Sequence, residues 1–148
     1  MTVFDASVLA DALVVAGPAG NDAREVLRDH SLLHVPSIFA AEVTSAIRSM
    51  QARGEVSPGR ASGAVAKIKV VRSVQYPFEP FVDRVWELRE NLTVYDGWYV
   101  ALAESLDTSL VTADHRLARA SGPRCPVLDV ARLAAGSPGL PPQRSRPE

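Results

Sequence analysis

Short apolar runs of strand character alternate with stretches of helical periodicity along nearly the whole chain, and this alternation limits the available folds more than any other feature. VFDASVLADALV sets the pattern: a buried strand from about Thr2 to Phe4, then a helix from about Ala6 to Val15, broken by Gly17-Pro18 and Gly20. A helix from Asn21 to His30, with Val26 and Leu27 inward, leads to a strand from Leu32 to Val35 that stops at Pro36. Ser37 is placed to cap a long helix through Ile38, Phe39, Val43, Ala46, Ile47 and Met50, ended by Gly54. Ser57-Pro58 opens the next helix in the favoured order of cap then proline, reaching about Lys69. A strand from Val71 to Tyr76 follows. A helix from Phe81 to Glu90 would pack through Val82, Val85, Trp86 and Leu88, and another runs from Thr93 to Leu106. A strand from Ser109 to Thr112, a short helix from Asp114 to Ala120 and a strand from Val127 to Val130 complete the series.

Strands alternating with helices imply an α/β domain: a mostly parallel sheet flanked by helices on both faces. The chain has 148 residues, 47% hydrophobic and 22% charged, which suits one domain with a real core. That domain should span residues 1–135. Residues 136–148, GSPGLPPQRSRPE, are too rich in Pro, Gly and Arg to pack and read as a disordered tail. The single Cys125 excludes an intrachain disulfide. The apolar run from Val8 to Ala16 is interrupted by Asp11 and too short for a bilayer, so a cytoplasmic protein with no membrane partner is expected.

In open parallel sheets, ligands bind beyond the carboxyl ends of the strands, and acidic residues collect there. Asp5 follows the first strand directly, and Asp114 lies just past SLVT. Asp96 falls in the first turn of its helix, three residues after Thr93. Glu42 borders an apolar helical stripe, one turn after Ile38. Each has a plain structural use. Asp5 and Asp114 can be N-caps, worth ~1 kcal/mol each; Thr93 and Asp96 match a capping box; Glu42 can be a surface residue. Collected in one cleft, they would instead repel one another unless a cation lay between them. Mg²⁺ and Mn²⁺ prefer carboxylate oxygens and water, and such an ion can activate water and clamp phosphate oxygens. Ser7 and Thr112 stand beside Asp5 and Asp114, placed to bond a metal-bound water. His30, His34 and His115 lack ligand spacing, and neither a phosphate loop nor a serine elbow is present.

Net charge is −1, yet between Val43 and Tyr76 six cations, Arg48, Arg53, Arg60, Lys67, Lys69 and Arg72, meet only one acid, Glu55. Such a stretch is either a solvated face or a surface for phosphates. Arg48, Arg53, Lys67 and Lys69 are the candidates for holding phosphates.

VFDASVLADALV, AAEVTSAI and YDGWYVALAESLDTSLVTADHRL, taken in order, resemble a PIN domain, in particular the VapC-type toxins of toxin–antitoxin pairs. The resemblance covers residues 1 to about 134. It implies that Asp5, Glu42, Asp96 and Asp114 are catalytic, metal-binding acids, with Thr112 and Ser7 in support. It also implies an endoribonuclease using Mg²⁺ or Mn²⁺, a homodimer, and a VapB-type antitoxin as partner. Gly97-Trp98 departs from the pattern where alanine and a smaller or aliphatic residue are expected, and a glycine there could admit a ligand. His115 departs where a basic residue is frequent, and reads as a neighbour of the site. Two other classes compete. An aspartyl phosphotransfer protein would want a second Asp at the position of Ser7, or a late lysine, and no lysine follows Lys69. A non-catalytic binding module would have no need of four acids.

Overall fold

The computed structural model describes residues 1–136. Five short strands, β1 (Val3–Phe4), β2 (Leu33–Pro36), β3 (Ser73–Tyr76), β4 (Leu110–Thr112) and β5 (Val127–Asp129), form one sheet in the order β3-β2-β1-β4-β5. All neighbours are parallel, with Val3 opposite His34 and Leu110, and Thr112 opposite Asp129. The chain therefore moves from β1 out to β3 and returns to the other side of β1 for β4. In open α/β sheets such a reversal, here at the carboxyl ends of β1 and β4, is where ligands bind.

Among the described residues, eight helices cover the sheet: α1 (Ala6–Val14), α2 (Pro18–Arg28), α3 (Phe39–Ala52), α4 (Pro58–Ile68), α5 (Val82–Glu87), α6 (Val94–Ser105), α7 (His115–Ala118) and α8 (Val130–Ala134). α1 packs on α2, α3 and α4, and α2 on α8; α5 packs on α6, which lies across β1, β2 and β4. Both faces of β1 and β4 are covered, which is why Val3, Phe4, Leu110 and Val111 are all buried and apolar with no polar alternation. α6 is buried continuously from Gly97 to Ala103. A helix stretch apolar all round belongs in a core, and Asp96 stands half-buried just before it.

The expected architecture holds, with local corrections. Ser37 does not cap α3; Ile38 occupies the cap position, and no side chain bonds there. α2 begins at Pro18, and its fully buried residues are Gly20 and Ala23, with Val26 and Leu27 only half-buried. The helix expected from Phe81 to Glu90 is a 3-10 turn, Glu79–Phe81, followed by the six residues of α5. Only Val85 and Leu88 face inward; Val82 and Trp86 are exposed, and the Arg89 guanidinium lies 4.6 Å over the Trp86 ring. α8 replaces the end of the last expected strand, started by Asp129, whose Oδ1 accepts the Ala131 N–H at 2.9 Å. The expected tail lies outside the described residues, apart from Gly136.

Candidate active site

Asp5 sits at the N-cap position of α1 with extended backbone, but its side chain makes no cap hydrogen bond. Its backbone N–H continues the sheet instead, donating to the Val111 carbonyl at 2.9 Å. Its Oδ2 accepts from the hydroxyls of Ser7 at 2.5 Å and Thr112 at 2.9 Å. Thr112 is wholly buried and Asp5 is 8% exposed. The same two hydroxyls accept backbone donors from the following loop: Ala113 N–H binds Ser7 Oγ, and Asp114 N–H binds Thr112 Oγ1, both at 3.0 Å. One hydroxyl pair thus joins the end of β1 to the end of β4. The expected supporting role of Ser7 and Thr112 is directed at the Asp5 carboxylate and the β4 loop.

Glu42 lies in the first turn of α3 and is half-buried. Its Oε2 accepts the hydroxyl of Tyr99 on α6 at 2.6 Å. Asp96 is in the first turn of α6, where Thr93 caps the helix by accepting the Asp96 N–H at 3.1 Å. Asp114 does cap α7, its Oδ1 accepting the Arg116 N–H at 2.8 Å. Asp96 and Asp114 line one small cavity of about 230 Å³ with Asn91, Thr93 and Arg116. The cap reading is therefore right for Asp114 and wrong for Asp5.

The four acids share one electrostatic neighbourhood. Burial raises Asp5 above the ordinary carboxylate range, against the hydroxyls of Ser7 and Thr112 and, more weakly, the nearby N–H groups of Ala6 and Ser7, which lower it. Burial also raises Glu42, as do the charges of Asp5 and Asp96. Asp96 is raised by burial, then by Asp5 and Asp114. For Asp114, burial is outweighed by the N–H and guanidinium of Arg116, and the group lies below its usual value. Arg116 reaches Asp114 at 3.4 Å but is almost wholly exposed, so it offsets little of the repulsion.

These oxygens have the chemistry of a hard-cation site, with no thiol or imidazole among them. No three His, Cys, Asp or Glu side chains among the described residues close on one point as a preformed cage. Mg²⁺ needs no such cage, because it keeps several waters and takes one or two carboxylates directly. The donor set fits a divalent ion of that kind.

Two residues of this region escaped the sequence reading. Asp11, on α1, is raised by burial and by the charge of Asp5; its signal was the break it makes in an apolar run. Tyr99 gave no signal, because its partner is 57 residues away. His115 turns from the acids and pairs through Nδ1 with Oδ2 of Asp129. Gly97 admits a neighbouring helix: a Cβ there would stand 3.3 Å from Val85 Cγ1 of α5. Arg48, Arg53, Lys67 and Lys69 are exposed on α3, α4 and their ends, and Arg53 is paired with Glu55 at 2.6 Å. Arg53 is 11 residues beyond Glu42, about 16 Å along the helix axis, so the structure does not bring it to the acids.

A parallel sheet with acids at its switch point defines a class that comparison identifies. Residues 2–123 match the PIN domain family model, and the chain belongs to the PIN-domain family, in its VapC branch. It is 36% identical to Ribonuclease VapC9 of Mycobacterium tuberculosis over 132 residues, 89% of this chain and 100% of that one. It is 38% identical to Ribonuclease VapC12 of the same species, over 82% of this chain and 93% of that one. Among solved structures, PAE2754 from Pyrobaculum aerophilum superposes with a TM-score of 0.65 at 25% identity, covering 92% of this chain and 97% of that one.

Proposed function

We propose that this protein is an endoribonuclease dependent on Mg²⁺ or Mn²⁺, the toxin of a toxin–antitoxin pair. The observation that carries the reading is Asp5, a buried carboxylate at a helix start that forgoes capping for two hydroxyls and lies in the field of Glu42 and Asp96. The names of the VapC relatives, ribonucleases, supply the substrate class.

Asp5, Glu42, Asp96 and Asp114 would hold the ion, which when bound activates a water and neutralises charge on the phosphodiester. Ser7 and Thr112 fix one oxygen of Asp5, which turns the other toward a ligand. Thr112 also holds the Asp114 N–H, so the two strand ends keep a constant spacing while the scissile phosphate is aligned. Water adds to phosphorus as the bond to the leaving ribose oxygen breaks. The exposed Arg48, Lys67 and Lys69 are the cations that remain for RNA backbone contacts, and their binding would weaken with salt. Exposed Val82, Trp86, Val94 and Tyr95 give α5 and the start of α6 an apolar surface suited to a protein contact. A homodimer and a VapB-type antitoxin follow from the family as proposals.

The test is digestion of a total-RNA pool with Mg²⁺ and with EDTA, followed by mapping of the cleaved ends. New ends that appear only with the ion, and vanish for Asp5→Asn, are expected. RNA left intact under both conditions would favour the non-catalytic binding module.

A further inference from the structure

Glu42 differs from the other three acids in length. Its carboxylate stands on a side chain with one more rotatable bond than aspartate, on a helix turn that is only half-buried. Left alone, such a side chain samples several rotamers and leans into solvent, and fixing it has an entropic cost. The Tyr99 ring, on α6, is wholly buried, and its hydroxyl reaches Glu42 Oε2 at 2.6 Å. A buried phenol needs a hydrogen-bond partner, but a backbone carbonyl would meet that need. Here the partner is a carboxylate that carries one of the site's charges.

We propose that Tyr99 is a positioning residue: its hydroxyl fixes Glu42 in one rotamer beside Asp5 and Asp96 and leaves Oε1 as the oxygen offered to a divalent cation. The arrangement repeats at Asp5, where two hydroxyls occupy Oδ2. Asp5 and Glu42 are thus each held through one carboxylate oxygen. Groups of this kind behind metal ligands typically change affinity ten- to a hundred-fold when removed.

The inference rests on the divalent-cation reading above, and the test separates the two. Mn²⁺ binding to the full chain is measured by calorimetry for the parent, Tyr99→Phe, Glu42→Ala and the double variant, together with kcat and KM on RNA. Phe keeps the ring and removes only the hydroxyl. The expected result for Tyr99→Phe is a parental circular-dichroism spectrum, a Mn²⁺ Kd weaker by about ten-fold, a similar fall in kcat and an unchanged KM. In the Glu42→Ala background, Tyr99→Phe should cost nothing further, because the hydroxyl acts through Glu42. Parental Mn²⁺ affinity in Tyr99→Phe, or equal losses in both backgrounds, overturns the inference and leaves the proposed function standing. A Tyr99→Phe chain that fails to fold makes the hydroxyl a device of the core and overturns it too. A parent that binds no Mn²⁺ overturns the proposed function and this inference with it.

Discussion

Thr112 shows how one side chain can serve both fold and site. Its hydroxyl donates to Asp5 and accepts from the Asp114 N–H, with no solvent to replace either partner. Thr112→Val keeps the shape but strands the Asp114 N–H and leaves Asp5 Oδ2 with the Ser7 hydroxyl alone, and should destabilise by about 1–3 kcal/mol. Urea unfolding in EDTA measures it, and an unchanged midpoint would deny the network its role. The acids also set a pH dependence. Asp5, Glu42 and Asp96 lie above their unfolded values of 3.8, 4.5 and 3.8, so each binds a proton more readily folded than unfolded. Their contribution is fullest at low pH and is lost as pH rises through the raised folded values. Asp114 and Glu104 are shifted the other way, and what they contribute is lost only below about pH 4 to 5. Above that, the raised acids decide the sign. Metal-free protein should therefore melt at a higher temperature near pH 5 than near pH 8, and Mn²⁺ should shrink the difference by competing with protons. A melting temperature that climbs with pH in EDTA would contradict the shared field.

At the scale of elements, two glycines make opposite predictions. A Cβ on Gly20 would fall 1.8 Å from the Val15 carbonyl oxygen, so the glycine is what lets α2 start against the end of α1. Arg24 then closes that corner, donating to the carbonyls of Ala12 and Val15. Gly20→Ala must push the helices apart and should cost about 1–3 kcal/mol. Gly63, inside α4, has nothing within 4 Å of a Cβ, and Gly63→Ala should stabilise by about 0.5–1 kcal/mol. Denaturant midpoints of the two variants should move in opposite directions; a shared direction would contradict the packing at the corner. Elements were legible in the sequence where one periodicity ran without interruption, as in α3, α4 and α6. They were not where the chain changes structure within a turn. α8 begins on the residue after β5 because Asp129 ends the strand and caps the helix, and a run of apolar residues does not show that division. Trp86 was expected inside because it is apolar, but six residues of α5 can bury only one narrow face.

For the molecule as a whole, the parallel sheet and the four acids could be read from strand ends and helix starts, since local order places them at one edge. The strand order could not, and it is the return of β4 to the far side of β1 that sets Asp5 and Asp114 at neighbouring strand ends. Nor could the Tyr99–Glu42 bond, which joins α6 to α3 across 57 residues of chain. The central claim is that these acids are a divalent-cation site rather than caps. Asp114 is a poor place to test it, because its carboxylate does cap α7. Asp5 caps nothing, and Asn at that position keeps an oxygen for Ser7 and Thr112. The decisive measurement is thermal unfolding of the parent and Asp5→Asn, each in EDTA and with Mn²⁺. In EDTA the variant should equal or exceed the parent, because a buried charge beside other carboxylates is gone. With Mn²⁺ at about 100 times its Kd, the parent should gain ~2.7 kcal/mol and the variant far less, reversing the order. A parent that Mn²⁺ does not stabilise, or an Asp5→Asn protein that gains as much, would contradict the account.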